Sequence, residues 1–175
     1  MVGNSKVALT WNSWPTTLIA SLDGMRAGGV RWYMLPEFAE SGQPFSYFLP
    51  LLPALLAGWT KPAPTHILVN LYAIPMETWA AELADFVDQV HAKWPYARVY
   101  VTRTWNMNNV PDNDAQAALT AGVCATRSTY CLLGDDERVW MEGGDGGATM
   151  TVDGVHYSAA GQAAAAVAKQ TVLGY

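Results

Sequence analysis

Four short stretches carry nearly unbroken apolar, β-branched and aromatic character: "VALTW" (7–11), "VRWYML" (30–35), "HILVNLY" (66–72) and "RVYVTRTW" (98–105). Runs this short and this apolar read as strands covered on both faces. Between them the period changes to that of a helix. "WPTTLIASLDG" (14–24) has proline in its first turn and stops at glycine, as helix-end preferences predict. "PMETWAAELADFVDQVHAKW" (75–94) brings Trp79, Leu83, Phe86, Val87 and Val90 to one face, with acids opposite. A last helix is expected from about Ser158 to Thr171. Strand and helix in strict alternation argue for a parallel sheet with helices on both faces. Right-handed crossovers then bring the loops after residues 11, 35, 72 and 105 to the carboxyl-terminal edge, where such sheets keep their ligands. The 151–158 loop is expected to join them.

Composition narrows the picture. The chain has 175 residues, a length that fits one domain over 1–175 with a core of its own. Apolar residues make up 51% and charged residues 14%, against about 25% charged in ordinary soluble domains. The longest apolar run, "YFLPLLPALLAGW", is broken by Pro50 and Pro53, so no membrane span is expected. Low charge and eight tryptophans point to burial against other subunits or to an unusually dense monomer. A net charge of −5 without a basic run argues against nucleic acid as a partner. No secretory leader is recognised, so a cytoplasmic setting or incorporation into a particle is expected. Cys124 and Cys131 lack the companions of a metal site. They read as a small-loop disulfide or, preferably in the absence of a leader, as free thiols. "EGGDGG" (142–147) reads as a flexible loop.

Candidate chemistry gathers at "TVDGVHYSAAGQAAAAVA" (151–168). Asp153 and His156 are one turn apart, just ahead of a helix. That spacing lets the carboxylate take a hydrogen bond from one imidazole nitrogen and leaves the other to act as a base. A base needs a nucleophile within reach. Ser13 follows the first expected strand and precedes the first helix, where a hydroxyl meets positive helix-end potential. The same residues also serve plainer roles: Ser13 as a helix cap, Asp153-Gly154 as a turn. His66, at a strand start, and His91, near a helix end, read as structural. Asp135, Asp136 and Glu137 read as a solvated, turn-like acidic cluster, and "NMNNVPDND" (106–114) as a polar loop over the same sheet edge.

With these residues in view, the chain resembles the GDSL/SGNH hydrolase family. "DGVHYSAAGQAAAAVA" is similar to that family's last block, an Asp-x-x-His pair before a small-residue helix. "ESGQPFSYFLPLLPALLAG" (40–58) resembles its second block, and "KPAPTHILVNLYAIPMETWAAELADFVDQV" (61–90) its third. The resemblance implies a three-layer α/β/α sandwich with a parallel, flavodoxin-like central sheet. It further implies a Ser13–His156–Asp153 triad, with Gly42 and Asn12 on the oxyanion and substrate side. No metal or organic cofactor is implied. The substrate would be a short acyl ester or an acetylated glycan.

The departures from the pattern are specific. Trp11-Asn12-Ser13 stands where the family has Gly-Asp-Ser. The rival "GNS" (Gly3, Asn4, Ser5) leaves only Met1 and Val2 for a strand, too few to hold a nucleophile, so Ser13 is preferred. Tyr72 and Ile74 stand in place of the third block's glycine and asparagine. Isoleucine donates no hydrogen bond, and one lost oxyanion donor costs about 10²–10³ in turnover. Asn70 reads as a buried, satisfied amide rather than a substitute. Two functions therefore stand: a weakened serine esterase, and a catalytically degenerate subunit of a homo-oligomer or larger assembly such as a phage particle.

Overall fold

The computed structural model describes residues 2–3, 43–72, 76–106, 108, 110–141 and 149–174. The strands expected at 7–11 and 30–35, the helix at 14–24 and the 142–147 loop lie outside them. Four strands form one parallel sheet in the order β1-β2-β3-β4: β1 (Val2–Gly3), β2 (His66–Asn70), β3 (Arg98–Arg103) and β4 (Cys131–Asp136). Register is set by Val2 opposite Val69, Val69 opposite Val101, and Val101 opposite Leu133.

Alternation along the strands sends side chains to two separate cores. Val69, Val99, Val101 and Cys131 join a core built by the helices α1 (Phe45–Phe48), α2 (Leu52–Gly58), α3 (Met76–Lys93) and α4 (Val110–Ala125). Leu68 and Tyr100 join a second core with Met141 and with Ala165 and Ala166. Met141 ends α5 (Glu137–Met141), and the two alanines lie on α6 (Ala159–Val172). Helices therefore cover both faces, giving the parallel three-layer α/β architecture that the apolar runs predict.

α3 buries the five residues its periodicity singles out. Phe45 meets the rings of Trp79 and Phe86 edge-on, at 5.5 and 5.2 Å, and the Trp79 indole N–H donates to Thr120 Oγ1 at 3.0 Å. Burying each such side chain stabilises the fold by roughly 1.5–3 kcal/mol. The five described tryptophans, at 59, 79, 94, 105 and 140, are all buried or half-buried within the chain. No described helix is long and apolar enough to cross a membrane.

Three expectations change. Cys124 and Cys131 are not free thiols: they form a disulfide, with Cα atoms 4.8 Å apart. The 126–130 turn folds the end of α4 back onto the first residue of β4, because Arg127 N–H donates to Cys124 O and Cys131 N–H to Arg127 O. Asp135, Asp136 and Glu137 are no solvated loop. The first two belong to β4, and Asp135 and Glu137 are buried. Finally, "VPDND" opens α4 rather than continuing a turn series. β4 bends at Gly134, where a Cβ would come within 3.0 Å of the Val101 and Thr102 backbone, beside the register break between Val101 and Arg103.

Candidate active site

Residues 149–158 form a tight hairpin ahead of α6. Thr151 bridges Tyr157, Val152 N–H donates to His156 O at 2.9 Å, and Ser158 N–H to Met150 O at 2.9 Å. Gly154 takes the turn with φ of 85°, a conformation glycine adopts without strain. Ser158 caps α6: its Oγ accepts from Gly161 N–H at 3.2 Å and donates to Thr149 O at 2.7 Å. A Cβ on Gly161 would collide with Met150 O. The hairpin thus lies directly on the helix start, and only glycine permits that approach.

Inside the turn, one Asp153 oxygen accepts from the N–H groups of Val155 (2.9 Å) and His156 (2.7 Å). The other lies 2.6 Å from His156 Nδ1. Burial pushes the Asp153 carboxyl up. The bond from the His156 ring, the His156 and Val155 backbone N–H groups and the imidazole charge outweigh it, bringing the carboxyl down to about 2. Asp153 is therefore ionised at neutral pH and can only accept, so Nδ1 carries a proton and Nε2 is the nitrogen left to exchange one in the neutral ring. This is the arrangement a general base requires.

The hairpin sits at the carboxyl-terminal edge of the sheet. Asn108, in the loop after β3, donates from Nδ2 to Asp153 O at 3.1 Å. That loop is braced by Asn113, whose amide exchanges two bonds with the Asn106 backbone. Tyr157 reaches down to the sheet edge, where its hydroxyl donates to Glu137 Oε1 and accepts from Asn70 Nδ2 at 3.2 Å. Asn70 Nδ2 also donates to Glu137 Oε1 at 2.9 Å, and Trp105 N–H donates to Glu137 Oε2 at 2.8 Å. Asn70 is buried as expected, but only its amide nitrogen is engaged; Oδ1 has no partner among the described residues.

Beside this cluster, the wholly buried Lys169 places Nζ 2.9 Å from both Asp135 oxygens. Asp135 also accepts from Thr102 Oγ1 at 2.8 Å and from the Trp140 indole N–H at 3.1 Å. Sequence reasoning missed Glu137, Tyr157, Lys169 and Asn108. A tyrosine beside the histidine and a lysine in an alanine-rich helix were the visible signals.

Of the sequence-derived site residues, Asp153 and His156 are brought together, whereas Ser13, Asn12 and Gly42 lie outside the described residues, as do Ser5 and Ile74. His66 and His91 belong to the opposite edge. His66 starts β2, stacked 5.7 Å from Tyr100, with its pKa lowered by burial and then by Arg98. His91 stacks 3.9 Å from Tyr130. Among the described residues no group of His, Cys, Asp and Glu is placed to hold a metal ion.

The sequence matches no family model and no curated protein, but solved structures share the fold. TesA superposes with a TM-score of 0.74 at 20% identity, over 99% of this chain and 96% of its own. The psychrotrophic esterase EstA from Pseudoalteromonas sp., in a structure inhibited by monoethylphosphonate, gives 0.74 at 15% identity, over 98% and 93%. A carbohydrate esterase of family 3 from Talaromyces cellulolyticus gives 0.61 at 16% identity, over 98% and 94%.

Proposed function

We propose that this chain is a serine ester hydrolase of SGNH type, acting on a short acyl ester or an acetylated carbohydrate. The observation that carries the reading is the Asp153–His156 pair, locked in its hairpin at the sheet edge with Nδ1 turned to the carboxylate. The likeness to EstA and to the carbohydrate esterase supports the substrate class.

A serine hydroxyl adds to the acyl carbonyl and gives its proton to His156 Nε2. The tetrahedral adduct collapses, and the departing alcohol takes that proton. Water then repeats the sequence on the acyl-serine, releasing the acid and restoring the hydroxyl. Asp153 holds the ring and stabilises its charged form. Gly42 N–H and the N–H of the nucleophilic serine hold the oxyanion, with Asn12 on the substrate side. Ile74, in the position of a third donor, makes turnover slow.

Ser13 and Ser5 compete as nucleophile. The pairing of β1 supports Ser5: Gly3 lies opposite Asn70, so the short strand that counted against "GNS" is formed. Asn70 in turn touches Tyr157, the neighbour of His156. Hydrolysis of p-nitrophenyl acetate by wild type, Ser5→Ala, Ser13→Ala and His156→Ala tests both points. Activity is expected to vanish in His156→Ala and in one serine variant. Equal rates in all four would remove the proposal.

The second reading, a catalytically degenerate subunit of a larger assembly, draws support from Ile74 and from the exposed apolar Tyr96 and Val167. It predicts no turnover by wild type and a concentration-dependent mass in light scattering.

A further inference from the structure

The hairpin's own hydrogen bonds fix its shape but not its aim. Besides Asn108 and the α6 start, the side chain of Tyr157, 3% exposed, ties it to the sheet by anchoring the residue next to His156 onto a carboxylate beneath. That carboxylate, Glu137, is wholly buried and joins separate segments of the carboxyl-terminal edge. It accepts from Asn70 at the end of β2, from the Trp105 backbone after β3 and from Tyr157 in the hairpin, while its own backbone starts the helix after β4. The geometry points to Glu137 as a positioning residue that sets the location of the His156 imidazole through the Tyr157 hydroxyl. Its kinetic consequence rests on the hydrolase reading; the geometric claim does not.

Carboxylate chemistry explains why this residue type stands here. The donors converging on Glu137 are N–H and O–H groups, which an acceptor-only side chain satisfies together. An amide in its place must turn its NH₂ toward Trp105 N–H or toward Tyr157 and Asn70, setting donor against donor. At a fully buried position no solvent relieves that mismatch. Burial and the adjacent Glu137 charge also hold the Tyr157 phenol well above its usual range, so it remains a donor.

The test uses Tyr157→Phe and Glu137→Gln in the full chain. The first readout is the side-chain amide proton resonance of Asn108, whose Nδ2 donates to Asp153 O across to the hairpin, assigned by its loss in Asn108→Ala. Positioning predicts that this resonance, sharp in wild type, broadens or shifts in both variants while circular dichroism stays native. The second readout is p-nitrophenyl acetate hydrolysis, with kcat falling about ten- to a hundredfold and KM within twofold of wild type. An unchanged resonance in folded variants overturns the inference. Should Glu137→Gln fail to fold, Tyr157→Phe, which keeps the ring and removes only the hydroxyl, decides alone. An inactive wild type would end the hydrolase reading, and the resonance would still decide the role of Glu137.

Discussion

Two pairings of a carboxylate with a side-chain nitrogen make opposite use of similar chemistry in this molecule. Asp153 and His156 meet 2.6 Å apart on a hairpin with side chains half and a third exposed. Asp135 and Lys169 meet at 2.9 Å with side chains 5% and 0% exposed. The first pair is bound by local geometry, since two further bonds to the same carboxylate come from residues two and three positions on. The second joins β4 to α6 across 34 positions and is completed by Thr102 and Trp140. Exposure leaves the histidine reachable and its bonds weak in net free energy. Burial makes the lysine unreachable and its loss costly. One pair is suited to chemistry, the other to holding the layer on which that chemistry rests.

The contrast can be broken from either side. The largest effect is expected from Lys169→Met, which strands Asp135 without its cation and should cost about 3–5 kcal/mol in urea unfolding. Asp135→Leu added to it should recover part of that loss, since no buried charge then remains. Next comes Gly161→Ala. Its methyl group must displace Met150 O, at roughly 1–3 kcal/mol, and under the proposed function the shifted hairpin should lower turnover more than stability alone explains. The smallest effect belongs to Asp153→Asn, expected to change unfolding by less than about 1 kcal/mol while abolishing most turnover. Acid titration sharpens the same point. The folded Asp153 pKa of about 2 lies below the unfolded value of about 3.9. Its contribution is therefore whole above about pH 4 and fades as pH falls toward 2. Wild type should show this small acid-side loss, and Asp153→Asn should lack it.

How much of this the sequence disclosed depends on how far apart the partners lie. The face of α3 was legible because Trp79, Leu83, Phe86, Val87 and Val90 repeat within one helix. Asp153 and His156 were legible because their bond spans three positions. β4 was not, because "CLLGDD" mixes glycine and acids in a way that resembles a loop. Asp135 near its end is buried against Lys169, 34 positions on, and Glu137, the first residue of α5, against Asn70, 67 positions back. α4 was hidden by its polar opening, where Pro111 and Asp112 suit a first helical turn as well as a bend. The strand at Val2–Gly3 was illegible because two residues look too few to pair, yet they lie in register on Val69 and Asn70.

The Cys124–Cys131 bond carries a practical requirement for anyone producing the protein. Closing it removes two electrons and two protons from the thiols, and the bacterial cytosol keeps such thiols reduced. Material made there without an oxidant or an export route would arrive with its helix-to-strand corner unstitched, and preparations differing only in this bond should melt at different temperatures.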